Sequence, residues 1–355
     1  MTLSKAQKAK SGKRAGLPGG WIIRLGRFVW ATMWHLMMAR LAPRSPEGDY
    51  VRPESQFRQV VYAENEAGPN AGTNHQYSPA ARRYCLIVGT GCPWAHRTLV
   101  VRALKGLEEA MPVIKVIPSP AAGGWVFEKD FDADGTICRA LADLYRVAQP
   151  GYGGRSTVPV LWDTQTCTIV NNESAEIIEI LNDAFNQFAS HADLDLQPDD
   201  LKAAIASWNE KIYPGVNNGV YRCGFAQTQT AYDRAVGELF AVLDEIDAAL
   251  VNQRYLCGDR LTLADIRLFT TLFRFDAVYY SLFKCNRRRI QDYSHLGAYL
   301  RDLYQLPGVA ATCDLEAVKR DYYGNLFPLN PGGIIPDGPD IANLWQPHGR
   351  ESLGK

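Results

Sequence analysis

A chain of 355 residues is too long for one small domain and predicts about two. Its hydrophobic content of 46% and charged content of 21% are typical of a soluble globular protein. The formal net charge is zero, yet residues 1–46 hold nine of the 38 Lys and Arg residues and no acid, which leaves 29 basic against 38 acidic residues in the remainder. The body is therefore acidic, and nucleic acid is not an expected partner.

The eight cysteines are scattered singly, without a CxxC pair or a Cys/His cluster at metal-ligand spacing, so we expect no metal site. A chain with a core of this size does not need disulfides for stability. Reduced thiols in a cytosol-like compartment are therefore predicted, which gives a cytoplasmic location.

The first 46 residues form a basic, partly apolar extension. Residues 1–20 lack apolar periodicity and are predicted to be disordered. The following segment, Trp21–Ala42, is apolar apart from a narrow polar stripe, but its uncharged run Phe28–Ala39 is shorter than the roughly 20 residues that cross a bilayer. Three interpretations stay open: a helix in a membrane interface, an organelle-targeting segment, or a helix that packs on the protein's own body.

An extended lead-in is expected over residues 47–83, and a β-α-β unit follows it. A short apolar run predicts a buried strand, Gly89-Thr90-Gly91 interrupts it, and a helix should begin at Cys92 because Pro93 suits a first helical turn. The predicted strands are Tyr84–Val88 and Val113–Ile117, and the predicted helix extends to Leu107.

An insertion over residues 118–155 follows, with a helix predicted near Thr136–Val147. Two strands, Thr157–Asp163 and Cys167–Val170, then form a hairpin, and a helix opens at Asn171–Ser174 and runs through Asn182. The order β-α-β, insertion, β-β-α is that of a thioredoxin-like fold, so residues 47–190 are predicted to form such a domain with its lead-in.

From Pro198 onward the pattern is helical, and residues 198–329 are predicted to form an all-helical second domain. Thr262-Leu263-Ala264-Asp265 resembles a capping box at a helix start. The tail, residues 330–355, is rich in Pro and Gly, and within it Pro331–Pro336 should be an ordered surface loop. The predicted helices are Leu201–Lys211, Thr230–Val251, Thr262–Phe275, Leu296–Tyr304 and Gly308–Lys319.

Cys92 stands where the sequence predicts a helix N-terminus. Unpaired N–H groups and the helix dipole favour an anion there, so we expect the pKa of the Cys92 thiol to fall below about 8.5. A thioredoxin-type site has a second cysteine three residues further on, but here that position is Ala95. Any disulfide on Cys92 must therefore be resolved by an external thiol, most obviously glutathione. The other single cysteines fit buried apolar positions.

Two further features suit a peptide ligand. A cis peptide at Val158-Pro159 would aim the Val158 backbone at an extended thiol-bearing peptide, although an edge-strand proline explains the pair equally well. Glu173-Ser174 at a helix start offers an acid for an ammonium group and a hydroxyl for a carboxylate, although such residues are usually only caps.

Six short motifs occur in order along the chain, and with them it resembles the glutathionyl-hydroquinone reductases, the Xi class of glutathione transferases, over residues 50–340. The resemblance implies a thioredoxin-like domain followed by an all-helical glutathione-transferase domain, a homodimer formed through the helical domain, and a catalytic cysteine. The motifs are Cys92-Pro93-Trp94-Ala95-His96-Arg97-Thr98, Gly124-Trp125-Val126-Phe127, Thr157-Val158-Pro159-Val160-Leu161-Trp162-Asp163, Asn172-Glu173-Ser174, Phe283-Lys284-Cys285-Asn286 and Asn330-Pro331-Gly332-Gly333-Ile334-Ile335-Pro336.

The resemblance also implies roles for individual residues. Cys92 would be the nucleophile, and tyrosines of the helical domain would line the acceptor pocket, the last two uncertain by one position because each has a tyrosine neighbour. The chain departs from the family pattern at Ser281-Leu282, Asp321 and Asn325-Leu326, positions where the family commonly has histidine or Ser-His. The implied glutathione-binding residues are Trp125, Arg155, Val158, Glu173 and Ser174, and the implied acceptor tyrosines are Tyr221, Tyr279 and Tyr322.

The expected function is removal of glutathione from S-glutathionyl-hydroquinones by a single-cysteine mechanism, with glutathione as co-substrate. Two alternatives remain. One is a broader omega-like thiol transferase or dehydroascorbate reductase, which would use the same cysteine. The other is a weakly catalytic glutathione-binding module that docks on a membrane surface through Trp21–Ala42.

Overall fold

A computed structural model of the chain describes residues 20–62 and 77–353, and the predicted disorder before residue 20 lies outside these ranges. The chain divides into two compact units, residues 1–41 and 42–355. The first contains helix α1, Trp21–Leu41, as predicted. Among the residues that the structure describes, no helix is both long and apolar enough to cross a membrane.

A six-stranded mixed sheet forms the first half of the second unit. Its central strand β1 is buried at all six residues, pairs in parallel with β2 and antiparallel with β5, and so must be apolar throughout. The order across the sheet is β4-β3-β2-β1-β5-β6. The strands are β1 Tyr84–Gly89, β2 Val113–Ser119, β3 Gly124–Ala133, β4 Thr136–Ala140, β5 Val160–Asp163 and β6 Thr168–Asn171.

The predicted thioredoxin-like arrangement is confirmed in strands β2, β1, β5 and β6, but the prediction for the insertion is wrong in part. Thr136–Ala140 is strand β4, and with β3 it forms a hairpin that covers the edge of β2. Its side chains alternate, since Cys138 is buried and Ile137 is exposed. The helix begins only at Leu141, where the Asp143 carboxylate accepts the Ala140 N–H at 2.9 Å.

After β6 the described chain consists of helices and their connections, which confirms the predicted helical half. One prediction needs correction, and one helix has no counterpart among the predicted ones. The helix predicted over Gly308–Lys319 is α10, Leu315–Asn325, because the Asp314 side chain accepts the Ala317 N–H at 2.8 Å and starts the helix there. The short helix α6 was not predicted, since six residues carry too little periodicity. The helices are α2 Pro93–Lys105, α3 Leu141–Ala148, α4 Ser174–Asp183, α5 Lys202–Ile212, α6 Gly219–Gly224, α7 Gln229–Ala249, α8 Leu263–Arg274, α9 Leu296–Gln305 and α10.

Buried polar groups join the two halves of this unit. Helix α2 packs against α4 and α8, and the buried Arg97 of α2 donates to Asn217 Oδ1 at 2.7 Å and to the Arg267 carbonyl at 3.3 Å. The predicted capping interaction at Thr262 is present, since its backbone N–H donates to Asp265 Oδ2 at 2.8 Å. The domain boundaries expected near residues 46, 190 and 330 stay predictions.

Candidate active site

Cys92 is the N-cap residue of α2, and Pro93 is the first residue of that helix, as predicted. The Cys92 N–H donates to the Gly89 carbonyl at 3.0 Å, and the Cys92 carbonyl accepts the His96 N–H at 3.0 Å. The half-buried thiol lies 3.6 Å from the carbonyl oxygen of Val158, to which it donates. The turn between β1 and α2 therefore fixes the sulfur against the loop that enters β5.

Burial raises the pKa of the Cys92 thiol in this structure. A hydrogen bond from the Ala95 N–H and the positive charges of Arg52 and Arg274 act in the opposite direction without overcoming burial. The expectation of a lowered pKa is therefore wrong here. That expectation included the effect of the helix N-terminus, which is local in sequence. It did not include the burial of Cys92, which the surrounding chain produces.

A cavity of about 310 Å³ lies beside Val158, within the size range of small-molecule sites. Its lining brings together four of the five residues implied to hold glutathione: Arg155, Val158, Glu173 and Ser174. The Val158-Pro159 peptide is cis, which is one of the two alternatives that the sequence left open. Arg155 is exposed at the rim and Val158 is buried, so the cavity offers a positive charge near solvent and a backbone surface at depth.

The start of α4 supplies the polar end of this cavity. Glu173 is the N-cap residue, and its carboxylate accepts the Ala175 N–H at 3.2 Å and the Ser55 hydroxyl at 3.0 Å. The buried Ser174 hydroxyl accepts from Arg97 Nη1 at 3.3 Å. A helix N-terminus with a guanidinium beneath it favours a carboxylate, and the Glu173 carboxylate favours a cation. The arrangement suits a zwitterionic amino-acid group.

The lead-in supplies site residues that the sequence did not reveal. Residues 50 and 52–56 line the cavity, and the Arg52 guanidinium lies 4.0 Å from the centre of the Trp94 ring. Pairing with the thioredoxin-like half holds the segment, since the Phe57 N–H donates to Asn172 Oδ1 at 3.1 Å and the Asn172 N–H donates to the Phe57 carbonyl at 3.0 Å. No local pattern distinguishes these residues from an ordinary extended segment.

Trp125 is the implied glutathione-binding residue that does not line this cavity. It lies near the start of β3, and its ring covers Gly89 so closely that a Cβ at Gly89 would lie 2.3 Å from it. Trp125 therefore packs on the turn that leads to Cys92, and its contact with glutathione stays a prediction.

The three implied acceptor tyrosines meet in one cluster. Tyr322 of α10 lies at its centre, with its hydroxyl oxygen 2.6 Å from that of Tyr221 and 3.0 Å from that of Tyr279. The neighbouring residue Tyr323 instead donates its hydroxyl to the Ala277 carbonyl at 3.1 Å. Geometry thus places Tyr322 in the cluster, and Tyr279 is the fully buried member of its own pair.

Burial raises the pKa of all three clustered tyrosines, most strongly for Tyr221 and Tyr322. A negative charge on Cys92 would raise the pKa of Tyr221 and Tyr279 further, so the thiol and these phenols lie within electrostatic reach of one another. The phenols therefore stay protonated at neutral pH. The cluster offers hydroxyl donors and ring surface to an aromatic molecule.

A thioredoxin-like domain with a cysteine at the start of its first helix, followed by a helical domain, defines a protein of the glutathione transferase type. Two family models match accordingly: the glutathione S-transferase N-terminal domain over residues 91–184 and the C-terminal domain over residues 229–302.

Within that class the similarity is specific. The chain is 44% identical over 327 residues to the glutathionyl-hydroquinone reductase YqjG of Escherichia coli K12, with 91% of this chain and 97% of that protein covered. It is 43% identical over 314 residues to the glutathionyl-hydroquinone reductase PcpF of Sphingobium chlorophenolicum, with 88% and 94% covered. The chain belongs to the glutathionyl-hydroquinone reductases, the Xi class of glutathione transferases.

Solved structures show the same similarity. The glutathione-bound structure of YqjG superposes with a TM-score of 0.76 at 45% identity and covers 83% of this chain and 96% of its own. A Xi-class glutathione transferase from Natrialba magadii superposes with a TM-score of 0.77 at 40% identity, with 86% and 96% covered.

The burial of Cys92 leads to a prediction for its reactivity. The pH midpoint for alkylation of Cys92 by iodoacetamide should lie above the ordinary value of about 8.5. Arg52→Gln should raise the midpoint further, by up to about one pH unit, because the Arg52 charge stabilises the thiolate. Peptide mass spectrometry of the Cys92 peptide gives the rate at each pH. Arg58→Gln removes an exposed cation paired with Glu176 and should leave the midpoint unchanged. A lower midpoint in Arg52→Gln would contradict this.

Proposed function

We propose that this protein is a glutathione-dependent reductase that removes glutathione from S-glutathionyl-hydroquinones through Cys92 alone. The observation that carries the proposal is the single thiol at the start of α2, 3.6 Å from a residue that lines the cavity and within electrostatic reach of the tyrosine cluster. Ala95 stands where a resolving cysteine would be.

Glutathione has chemistry that suits the cavity. Its γ-glutamyl group carries an ammonium and a carboxylate, which would face Glu173 and the N-terminus of α4 at Ser174. The peptide portion would pass along Val158, and its terminal carboxylate would meet Arg155, with Trp125 closing the site. The glutathione sulfur would then lie near Cys92, because Val158 contacts both the cavity and the Cys92 thiol.

The reaction begins with attack of the Cys92 thiolate on the sulfur of the conjugate. The carbon–sulfur bond breaks, its electron pair stays on the aromatic carbon, and that carbon takes up a proton to give the free hydroquinone. A Cys92–glutathione disulfide remains. A second glutathione thiolate attacks the glutathione sulfur of this disulfide, which gives oxidised glutathione and free Cys92. One conjugate and one glutathione thus yield one hydroquinone and one disulfide.

The tyrosine cluster would hold the aromatic group. Neutral phenols donate hydrogen bonds to the hydroquinone oxygens, and their rings contact its face. The rings of Tyr221, Tyr279 and Tyr322 lie together with Phe283, whose centroid is 5.2 Å from that of Tyr279.

The need for reduced glutathione points to a reducing compartment such as the cytoplasm, and the family resemblance points to a homodimer formed through the helical domain.

A broader thiol transferase is the nearer alternative, since it would need only Cys92 and the glutathione cavity. Similarity to omega-like glutathione transferases of Schizosaccharomyces pombe and Saccharomyces cerevisiae, at 33–42% identity, supports this alternative. The cluster favours the hydroquinone conjugate, because a small disulfide has no ring for three tyrosines to contact.

The role of Cys92 gives the primary test. Cys92→Ser should lose turnover of glutathionyl-menadiol by at least about 1,000-fold, because no other group forms the mixed disulfide. Intact mass after incubation with oxidised glutathione should show one glutathione adduct on the unchanged protein and none on Cys92→Ser. Cys167→Ser, at a half-buried loop thiol, serves as the control and should retain both activities. Full turnover by Cys92→Ser would refute the proposal.

The tyrosine cluster predicts a substrate-dependent loss. Tyr322→Phe removes the hydroxyl that contacts both other tyrosines, so kcat/KM for glutathionyl-menadiol should fall by about 10-fold or more. Turnover of hydroxyethyl disulfide should stay within about twofold, since that substrate does not need the cluster. Tyr323→Phe is the matched control, because its hydroxyl bonds the Ala277 carbonyl outside the cluster. Equal losses on both substrates would favour the broader thiol transferase.

We also infer that helix α1 contacts a membrane surface. Most of its large apolar side chains are solvent-exposed, with Phe28 at 69% and Leu36 at 65%, whereas Met38 is buried. Nine basic residues and no acid within residues 1–46 favour a surface of anionic lipid. This contact would add to the enzymatic activity rather than replace it.

Vesicle flotation tests this contact. The full chain should float with vesicles of phosphatidylcholine and phosphatidylglycerol and bind phosphatidylcholine alone about 10-fold less, because the basic residues need anionic lipid. Two double variants should each weaken flotation and keep reductase turnover: the apolar double variant Phe28→Ser/Leu36→Ser and the basic double variant Arg24→Gln/Arg27→Gln. Arg139→Gln, an exposed basic residue elsewhere, is the control. Flotation of the apolar double variant equal to that of the unchanged chain would contradict the inference.

A further inference from the structure

The turn that precedes Cys92 is held from the helical half of the protein. Arg274, the last residue of α8, is buried and donates to the Gly91 carbonyl at 3.0 Å and to the Thr90 carbonyl at 2.9 Å. Asp321 of α10 accepts the Gly91 N–H at 2.8 Å. Two helices therefore bind both sides of the Gly91 peptide unit.

The contact with Asp321 leaves almost no free space. A Cβ at Gly91 would lie 2.5 Å from Asp321 Oδ2 and 2.6 Å from the Asp321 Cβ. The backbone just before Cys92 is thus fixed by a side chain 230 residues further along the chain.

Charges of both signs surround the Asp321 carboxyl group. Burial raises its pKa, while the Gly91 N–H and the positive charges of Arg320 and Arg274 lower it, and Asp314 acts in the same direction as burial. Arg274 Nη1 also lies 2.9 Å from His96 Nδ1, and burial together with the Arg274 charge keeps the pKa of His96 well below its usual value. His96 is therefore neutral, and Asp321 and Arg274 are the side chains that bond the turn directly.

The same two elements carry the tyrosine cluster. Tyr322 follows Asp321 in α10, and Tyr279 lies in the π-helical turn Phe275–Tyr279 that directly follows Arg274. The hydrogen bond from the Gly91 N–H to Asp321 therefore connects the turn before Cys92 with the helix that carries Tyr322. Neither partner of this bond belongs to the glutathione cavity.

We propose that Asp321 is a positioning residue for Cys92: its carboxylate holds the Gly91 N–H so that the sulfur faces both the bound glutathione and the tyrosine cluster. The role deepens the proposed function and rests on it. The sequence marks this position as a departure from the family pattern, so the assignment concerns this chain's own residue.

The test compares three substitutions that separate placement from charge. Asp321→Asn keeps an oxygen acceptor at the same place without the charge. Asp321→Glu keeps the charge but moves the acceptor by one methylene, and Asp321→Ala removes both. Arg320→Ala is the control, because it changes the charge next to Asp321 without touching Gly91. Each protein is assayed for kcat and KM with glutathionyl-menadiol, and for thermal unfolding.

Placement predicts that Asp321→Ala and Asp321→Glu lose about 10- to 100-fold in kcat while KM for glutathione stays within about threefold, because a misplacement of 1 Å can cost about 100-fold. Asp321→Asn and Arg320→Ala should retain kcat within about threefold. The reverse order, with Glu active and Asn inactive, would assign the role to charge and overturn the proposal. Because Glu and Asn decide the outcome, the test survives a failure of Asp321→Ala to fold.

A second measurement does not depend on the hydroquinone substrate. Formation of the Cys92–glutathione disulfide from oxidised glutathione requires an aligned sulfur, whereas alkylation by iodoacetamide does not. Asp321→Glu should slow the first about 10-fold or more and the second by less than about threefold. Equal slowing of both reactions would contradict the positioning of Cys92 by Asp321. If the protein without substitutions forms the disulfide but does not turn over glutathionyl-menadiol, the proposed function is refuted. The comparison of Asp321→Glu with that protein in disulfide formation still tests the positioning role.

Discussion

Burial of the turn before Cys92 sets the requirement that the rest of the structure meets. Buried backbone N–H and C=O groups must find partners, and a turn between a strand and a helix cannot pair them all within itself. The helical half supplies those partners: Arg274 donates to the Thr90 and Gly91 carbonyls, and Asp321 accepts the Gly91 N–H. The thioredoxin-like half therefore carries Cys92, while side chains of the helical half bond the turn that precedes it.

The same burial governs the electrostatics of the site. Removal of water raises the pKa of Cys92 and of the three clustered tyrosines alike, so the site favours neutral thiol and neutral phenols. For phenols that donate hydrogen bonds this is the useful state. For the thiolate form of Cys92 burial is unfavourable, and the Ala95 N–H and the charges of Arg52 and Arg274 partly offset this effect. The same burial thus keeps the clustered phenols protonated and disfavours the Cys92 thiolate.

The sequence was informative wherever the signal was local. The apolar run of β1, Pro93 after Cys92 and the Thr262–Asp265 spacing each specify a structure within a few residues, and all three were predicted. The incorrect predictions had tertiary as well as local causes. The helix predicted near Thr136 includes strand β4, because its pairing with β3 cannot be seen in the segment itself. The helix predicted from Gly308 begins too early, because its N-cap is Asp314.

The sequence by itself determined a thioredoxin-like half with a single thiol at a helix start, a helical half, and, through its motifs, the family. Only the tertiary structure decided that Arg52 stacks on Trp94, that Tyr322 rather than Tyr323 joins Tyr221 and Tyr279, and that Asp321 binds Gly91. These contacts join residues from about 40 to 230 positions apart. Periodicity and capping act over one or two turns of helix, so they carry no information about such pairs.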